Sequence, residues 1–251
     1  MGELIFIGLG ITEGYLTLKG LEEARRCERV FAEFYTSKAF EKLEKLTGRK
    51  IDILQRKDIE EGMGGILEIA EKNSTALLVP GDPMAATTHL QLRIEAQKRG
   101  IKTRVVCGVS VFTAVPSLLG LQHYKFGRTA SLPWPKENFF PMSPYHVIRE
   151  NYPLHTLVLL DTEPPMNADE AIKILLRMED IEKKSVLTKE RLVCVVARAG
   201  MDNCTVRAGK ALTLLGVDFG RTPHALVVPG ELHFMEEESL KSFASLVHDK
   251  K

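Results

Sequence analysis

The feature that most constrains the fold is the alternation of short apolar runs with helical patterns along the whole chain. The first run, Leu4-Ile5-Phe6-Ile7, ends in Gly8-Leu9-Gly10, which predicts a buried strand followed by a glycine turn. Thr17 caps a helical pattern over residues 18–27, and a second strand is predicted over 29–34. Strands that alternate with helices in this way predict a parallel sheet covered by helices.

The alternation continues to the carboxyl terminus but changes its rhythm near residue 133. Before that point the pattern predicts helices over 40–46, 66–71, 88–98 and 112–119, strands over 75–79 and 102–107, and a candidate strand over 125–132. A Pro-rich, aromatic segment, 133–145, follows. Beyond it the pattern predicts strands over 156–160, 192–197 and 225–228 and helices over 168–178 and 210–215. We therefore expect two α/β domains, 1–112 and 113–251.

Composition is that of an ordinary soluble globular protein. The 251 residues are 44% hydrophobic and 27% charged, enough to bury a core in each of two domains. Lys and Arg number 34 against 33 Asp and Glu, so no overall field attracts a polyanion and nucleic acid is not an expected partner. No apolar run reaches the roughly 18 residues of a spanning helix, so we expect a cytoplasmic protein that has no membrane partner.

Cysteine and histidine spacing gives no sign of a metal. The four cysteines form no Cys-x-x-Cys pair, and Cys107 and Cys194 stand in apolar runs that predict buried strands. The seven histidines lack the spacing of a His-Glu-x-x-His motif. We expect free thiols and no metal site.

Two glycine-containing turns resemble known motifs only in part. The glycines of 8–10 with Gly14 suggest a dinucleotide fingerprint, but the following helix starts too late to hold a pyrophosphate against Gly10. Gly108-Val109-Ser110-Val111-Phe112 follows a strand like a nucleophile elbow, yet Phe112 replaces the last glycine. A hydrolase is therefore not expected, and Ser110 caps the next helix or faces a ligand.

Pro80-Gly81-Asp82-Pro83 follows a predicted strand, at the carboxyl end where open α/β sheets bind ligands. Asp82 accepts hydrogen bonds from a ligand there or shapes an ordinary turn, and the motif alone leaves both open. Arg198 and His224 also stand at strand ends, where single Arg or His residues are usually structural or solvated.

Several segments together resemble the diphthine synthase family, a branch of the tetrapyrrole-methylase-like superfamily. They are Phe6-Ile7-Gly8-Leu9-Gly10, Phe31-Ala32-Glu33-Phe34-Tyr35-Thr36-Ser37, Gly81-Asp82-Pro83 with Ala86-Thr87-Thr88-His89, Tyr124-Lys125-Phe126-Gly127, Leu159-Leu160-Asp161, Ala197-Arg198-Ala199-Gly200 and Pro223-His224. Each is weak alone, but their order is specific and covers nearly the whole chain.

The resemblance implies a fold, a cofactor and a partner. It implies a homodimer of two-domain α/β subunits with a cofactor cleft between the domains. The cofactor is S-adenosylmethionine, converted to S-adenosylhomocysteine, and the family's donor contacts fall on Ile11, Asp82, Ala85, Ser110, Val111, Leu160, Ala199 and His224. The implied activity is N-methylation of the amine of the 3-amino-3-carboxypropyl histidine of translation elongation factor 2, giving diphthine. No catalytic side chain is implied.

Two other functions stay open, a tetrapyrrole (porphyrinoid) methyltransferase and a nucleotide-binding module without catalysis. The rings of the segment 133–145 also have two interpretations. They pack the junction between the domains, or they lie near the cleft and attract the methylated, cationic product.

Overall fold

The computed structural model describes residues 2–33, 43–60 and 62–244. This part of the chain contains ten strands in two five-stranded sheets. The chain divides into two compact units, Met1–Val111 and Phe112–Lys251, each built on one sheet. Part of the helix predicted over 40–46 and the segment Phe34-Tyr35-Thr36-Ser37 lie outside the described residues. None of the described helices is long and apolar enough to cross a membrane.

The first unit is a parallel sheet with strand order β3-β2-β4-β1-β5. The strands are β1 Glu3–Gly8, β2 Arg29–Glu33, β3 Asp52–Leu54, β4 Ser74–Val79 and β5 Lys102–Val106. The helices are α1 Leu18–Arg26, α2 Leu43–Thr47, α3 Arg56–Glu60, α4 Met63–Lys72 and α5 His89–Lys98. The predicted parallel sheet is therefore confirmed in this half.

Apolar residues cover both faces of this sheet, because successive side chains of a strand point to opposite faces. Leu4 and Phe6 of β1 pack in one core with residues of α4 and α5. Ile5 and Ile7 pack in the other core with residues of α1. The predicted cap of α1 is confirmed, since the backbone N–H of Gly20 donates to the Thr17 hydroxyl at 3.0 Å. Helices on both faces leave the ends of the strands as the accessible edges.

The second unit is a mixed sheet with strand order β6-β7-β10-β8-β9. The strands are β6 Ala130–Leu132, β7 Thr156–Leu160, β8 Leu192–Ala197, β9 Thr205–Lys210 and β10 His224–Val228. The helices are α6 Val111–Leu119, α7 Ser143–Asn151, α8 Ala168–Glu182, α9 Ala211–Leu214 and α10 Phe234–Phe243. β10 runs antiparallel to both β7 and β8, so this sheet is mixed, whereas that of the first unit is parallel.

Three helices or strands of the second unit were not predicted from the sequence, and one strand was predicted too long. β9 was missed because Arg207, which is half-buried, and Gly209, which has no side chain, weaken its apolar pattern. α7 was not predicted because Pro144 indicates the end of a helix, although proline is tolerated in the first helical turn. α10 begins at a His233 cap and was not predicted. The candidate strand over 125–132 shortens to β6, because a 3₁₀ turn occupies His123–Lys125.

The aromatic segment 133–145 packs largely within the second unit. Trp134 and Phe140 lie against its core, and the Trp134 indole N–H donates to the Pro164 carbonyl at 2.8 Å. Tyr145 is fully buried, and its hydroxyl donates to Glu179. Phe139 is exposed. Trp134, Phe140 and Tyr145 therefore pack within the second unit, and packing at the junction between the domains stays a prediction.

Of the two cysteines predicted to lie in buried strands, one does and one does not. Cys194 is buried in β8 as expected, and burial raises the pKa of its thiol strongly. The prediction that Cys107 lies in a buried strand was wrong, because β5 ends at Val106 and Cys107 is exposed in the turn that follows.

Candidate functional site

The carboxyl ends of β4, β1 and β5 lie side by side, and glycines bring the loops that follow them into backbone contact. A Cβ on Gly108 would lie 2.2 Å from the Gly81 carbonyl oxygen, and a Cβ on Gly8 would lie 2.5 Å from the Gly108 nitrogen. Gly10 and Gly81 have positive φ angles and exchange two backbone hydrogen bonds of 3.1 and 2.9 Å. At this glycine edge the three loops therefore pack backbone against backbone, and Gly81 has open space where a Cβ would lie.

Asp82 joins two of these loops through its carboxylate. One oxygen accepts from the Met84 N–H at 2.9 Å, and the other accepts from the Gly108 N–H at 3.1 Å. The negative charge also raises the pKa of the neighbouring Cys107 thiol. Asp82 is therefore a structural turn residue, and its carboxylate keeps capacity for a further hydrogen bond.

The five candidates of the first unit lie on loops, or at the first residue of a helix, at this one edge. Ile11 follows β1, Asp82 and Ala85 follow β4, and Ser110 with Val111 follows β5; all five are half-buried. The convergence follows from topology, because the carboxyl ends of neighbouring parallel strands share an edge. Ala86, beside Ala85, has φ +55°, a backbone conformation that is strained for a residue with a Cβ.

The three candidates of the second unit also meet at one edge of their own sheet. Leu160 ends β7, Ala199 follows the end of β8, and His224 begins β10. Because β10 lies antiparallel between β7 and β8, its start is level with both of their ends: Ala225 pairs with Leu159 and His224 pairs with Ala197. The antiparallel direction, which the sequence did not reveal, brings His224 to this edge.

The ring of His224 is fully engaged within the second unit. Its Nδ1 accepts from the Ala168 N–H at 3.0 Å, and its Nε2–H donates to the Arg221 carbonyl at 3.0 Å. Burial lowers the pKa of His224, which keeps the ring in this neutral tautomer. The side chain thus fixes the start of α8, and what His224 offers a ligand is its backbone.

Arg198 shapes the loop that carries Ala199. Its φ is +53°, and its guanidinium donates to the carbonyls of Phe219, Arg221 and Asn203 and to the Thr205 hydroxyl. Five donors in a rigid fork suit such a cluster of carbonyls. Arg198 is therefore structural in this loop, as single arginines at strand ends usually are.

Sequence reasoning missed Gly108 as a determinant of the first edge. The signal was present, since glycines occur close to the ends of three strands, at residues 8, 81 and 108. That the three are in mutual backbone contact became visible only with strands β4, β1 and β5 assembled side by side.

A parallel sheet unit with glycines at the ends of its strands, followed by a mixed sheet unit, defines a two-unit α/β protein. The family model of the tetrapyrrole (corrin/porphyrin) methylases matches residues 3–214. The chain therefore belongs to the tetrapyrrole methylase family.

Individual relatives narrow this assignment. The chain is 43% identical to the diphthine synthase of Methanocaldococcus jannaschii, over 95% of this chain and 97% of that one. It is 43% identical to the diphthine synthase of Methanosarcina mazei, over 96% of each chain. A crystal structure of a diphthine synthase superposes with a TM-score of 0.89 at 37% identity, covering 97% of this chain and 96% of that chain. Within the family, the chain groups with the diphthine synthases.

Proposed function

We propose that the chain is an S-adenosylmethionine-dependent methyltransferase that methylates the amine of the 3-amino-3-carboxypropyl histidine of translation elongation factor 2, giving diphthine. The observation that carries the proposal is nearly full-length identity of 39 to 43% to diphthine synthases of several archaea. The match spans both units, including the second-unit edge formed by Leu160, Ala199 and His224.

The glycine edge of the first unit fits a flat, polar nucleoside with an amino-acid tail. Gly81 has open space where a Cβ would lie, and the neighbouring Asp82 carboxylate is an acceptor for hydroxyl or ammonium groups. We propose that the donor binds to Ile11, Asp82, Ala85, Ser110 and Val111 of the first unit and to Leu160, Ala199 and His224 of the second. The half-buried positions of the first five support a role in contact with a ligand.

When bound, S-adenosylmethionine supplies a methyl group on a sulfonium, which a neutral amine accepts in one in-line displacement that leaves the carbon–sulfur electrons on sulfur. The chain has to bind and align the reactants and exclude water, and alignment of this kind supplies roughly 7 to 11 kcal/mol. Loops held by main-chain hydrogen bonds, such as the one between Gly10 and Gly81, suit that task because they move little. The residues of the chain therefore have to position the reactants, and the reaction needs no nucleophilic side chain.

Mass spectrometry after incubation with the donor tests the function. Elongation factor 2 that carries the precursor histidine should gain methyl groups, whereas factor with an unmodified histidine should gain none. A gain on a porphyrinoid instead of the factor would favour a tetrapyrrole methyltransferase, the activity for which the matched family is named. Donor binding without transfer to either substrate would favour a module without catalysis.

We further propose that the protein works as a homodimer in the cytoplasm, where the elongation factor acts. Exposed apolar side chains of the second unit, among them Tyr124, Phe234 and Phe243, are available for association. Sedimentation should give a dimer at micromolar concentration. A stable monomer that retains full activity would refute the dimer and leave the proposed reaction intact.

A further inference from the structure

Two motif residues far apart in sequence form a buried pair in the first unit. Glu33 is the last residue of β2 and His89 is the first of α5. Their side chains are 0% exposed, and the His89 Nε2–H donates to a Glu33 oxygen at 2.9 Å. Each residue belongs to a segment that resembles the diphthine synthase family, yet neither is among the expected donor contacts.

The pair is incompletely bonded. Among the described residues, neither the second Glu33 oxygen, Oε1, nor the second His89 nitrogen, Nδ1, has a hydrogen-bond partner. A buried polar atom without a partner costs about 1 to 3 kcal/mol. Replacing a buried polar pair by apolar residues of similar size is often neutral or stabilising. The pair therefore contributes less to the stability of the fold than an apolar pair of similar size could.

The position of His89 suggests what the pair does. His89 directly follows the loop 80–88, which carries Asp82 and Ala85. The beginning of this loop is fixed at Gly81 and Asp82 by hydrogen bonds to the neighbouring loops. At its end, Thr88 makes no side-chain capping bond to α5, so the described side-chain bond that fixes this end to the sheet is that of His89 to Glu33.

The loop also contains a residue that needs such anchoring. Ala86 has φ +55°, and a strained residue of this kind persists only where its surroundings hold it. With both ends fixed, Ala85 and Ala86 are held in one conformation. The Thr87 hydroxyl also donates to the Pro83 carbonyl at 2.8 Å across these residues, so release of the His89 end would shift this tied stretch of the loop, and Ala85 with it, relative to the sheet.

We propose that Glu33 and His89 are a positioning pair that holds the loop 80–88 in the conformation that binds the methyl donor. The pair acts through Asp82 and Ala85 and does not itself touch the donor. This inference rests on the proposed function, because the loop matters only if donor binds there.

The main test separates position from stability. Glu33→Met with His89→Leu replaces the pair by apolar side chains, so the thermal midpoint should stay within a few degrees of the parent's or rise. The dissociation constant for S-adenosylhomocysteine, measured by calorimetry, should nevertheless rise by about tenfold or more. Parent-like affinity in this folded double variant would overturn the inference, since the pair would then only fill space.

A conservative variant tests the hydrogen bond itself. In His89→Gln the amide nitrogen takes the place of the ring Nε2 and donates to Glu33, so donor affinity should stay within about threefold of the parent's. His89→Asn is too short to reach Glu33 and should lose affinity as the apolar variant does. Equal loss in the two amides would overturn the inference, and this comparison decides the matter even if the double variant fails to fold.

His155→Gln in the second unit is the matched control, because His155 belongs to another fully buried His–Glu pair. It should lower the thermal midpoint and leave donor affinity unchanged. Failure of the parent protein to bind S-adenosylhomocysteine would refute the proposed function itself, which distinguishes that outcome from failure of the positioning pair.

Discussion

The two units each bury a His–Glu pair, and the pairs differ in how fully they are bonded. Glu33 and His89 share one hydrogen bond, and each keeps an atom without a partner among the described residues. In the second unit, His155 Nε2–H donates to Glu236 at 3.0 Å, and His155 Nδ1 accepts from the Gly230 N–H at 2.9 Å.

Glu236 is saturated as well. Its carboxylate accepts from the backbone N–H groups of Gln122 and His233, each at 2.9 Å, and from the Lys125 ammonium at 2.6 Å. The network ties α10 to the start of β7 and to the 3₁₀ turn before β6, at the opposite end of β7 from Leu160. Lys125 belongs to Tyr124-Lys125-Phe126-Gly127, one of the segments that resemble the diphthine synthase family, and in this network it has a structural role.

The difference teaches how to interpret a buried polar pair. A saturated pair away from the predicted donor edge stabilises its unit, because each of its donors and acceptors replaces a hydrogen bond to water with one to the protein. An incompletely bonded pair beside the loop 80–88 stabilises its unit less, so we infer that it has a functional role. The following predictions test this contrast, from the largest expected effect to the smallest.

Removal of Glu236 should give the largest loss of stability. Glu236→Leu leaves His155 and two backbone N–H groups without their acceptor and Lys125 with the Glu231 carbonyl as its remaining acceptor, which should lower the free energy of unfolding by about 3 to 5 kcal/mol. Urea denaturation measures this. The control is Glu182→Ala, which breaks a partly exposed pair with His146 and should cost under about 1 kcal/mol. A loss for Glu236→Leu no greater than the control's would end the contrast between the pairs.

The saturated pair should also make the protein sensitive to acid. Burial raises the pKa of Glu236, but hydrogen bonds from His233, Lys125, Gln122 and His155 lower it more, to about 2 from 4.5. This carboxylate contributes stability above pH 4.5 that is lost as the pH falls toward about 2.

Burial lowers the pKa of His155 below 6.5, so its contribution also falls as the pH drops below that value. Denaturation curves between pH 7 and pH 3 should therefore show falling stability in the parent, and a shallower fall in Glu236→Leu. Equal slopes in the two proteins would contradict the assignment.

Gly108→Ala should damage the glycine edge of the first unit, where we propose that the donor binds, while leaving the second unit's network intact. The new Cβ meets the Gly81 carbonyl, and overpacking of this kind costs about 1 to 3 kcal/mol. Donor affinity should fall with it, as calorimetry would show. Gly65→Ala, in α4 with open space around it, is the control and should change stability by at most about 1 kcal/mol in the favourable direction. Similar results for the two alanines would refute close backbone contact at Gly108.

Asp82 should give an effect of similar size to that of Gly108→Ala, on donor binding and on the two loops that its carboxylate joins. Asp82→Ala should weaken S-adenosylmethionine binding by about 1 to 3 kcal/mol, because a hydrogen bond to a polar ligand is lost. Asp82→Asn keeps one accepting oxygen, so its effect should be smaller than that of alanine. Calorimetry on folded variants measures both, and unchanged affinity in Asp82→Ala would remove this residue from the site.

Much of the fold and part of the site were predictable from local pattern. The apolar runs that became β1, β4, β7 and β8 were identified, because each is a continuous stretch bounded by turn residues. The glycine turn at 8–10 was also identified as a place for a ligand. Elements with weak local signals, such as β9 and α7, were not found, since their patterns depend on neighbours distant in sequence.

The sequence by itself determined which segments are apolar, where helix α1 is capped and where backbone is left bare by glycine, because these properties depend on residues a few positions apart. Only the tertiary structure decided that β10 runs antiparallel, bringing His224 beside Leu160, and that Glu33 meets His89 across 56 positions. Strand direction and such pairings depend on the free energy of packing the whole unit, a quantity that no local pattern of side chains contains.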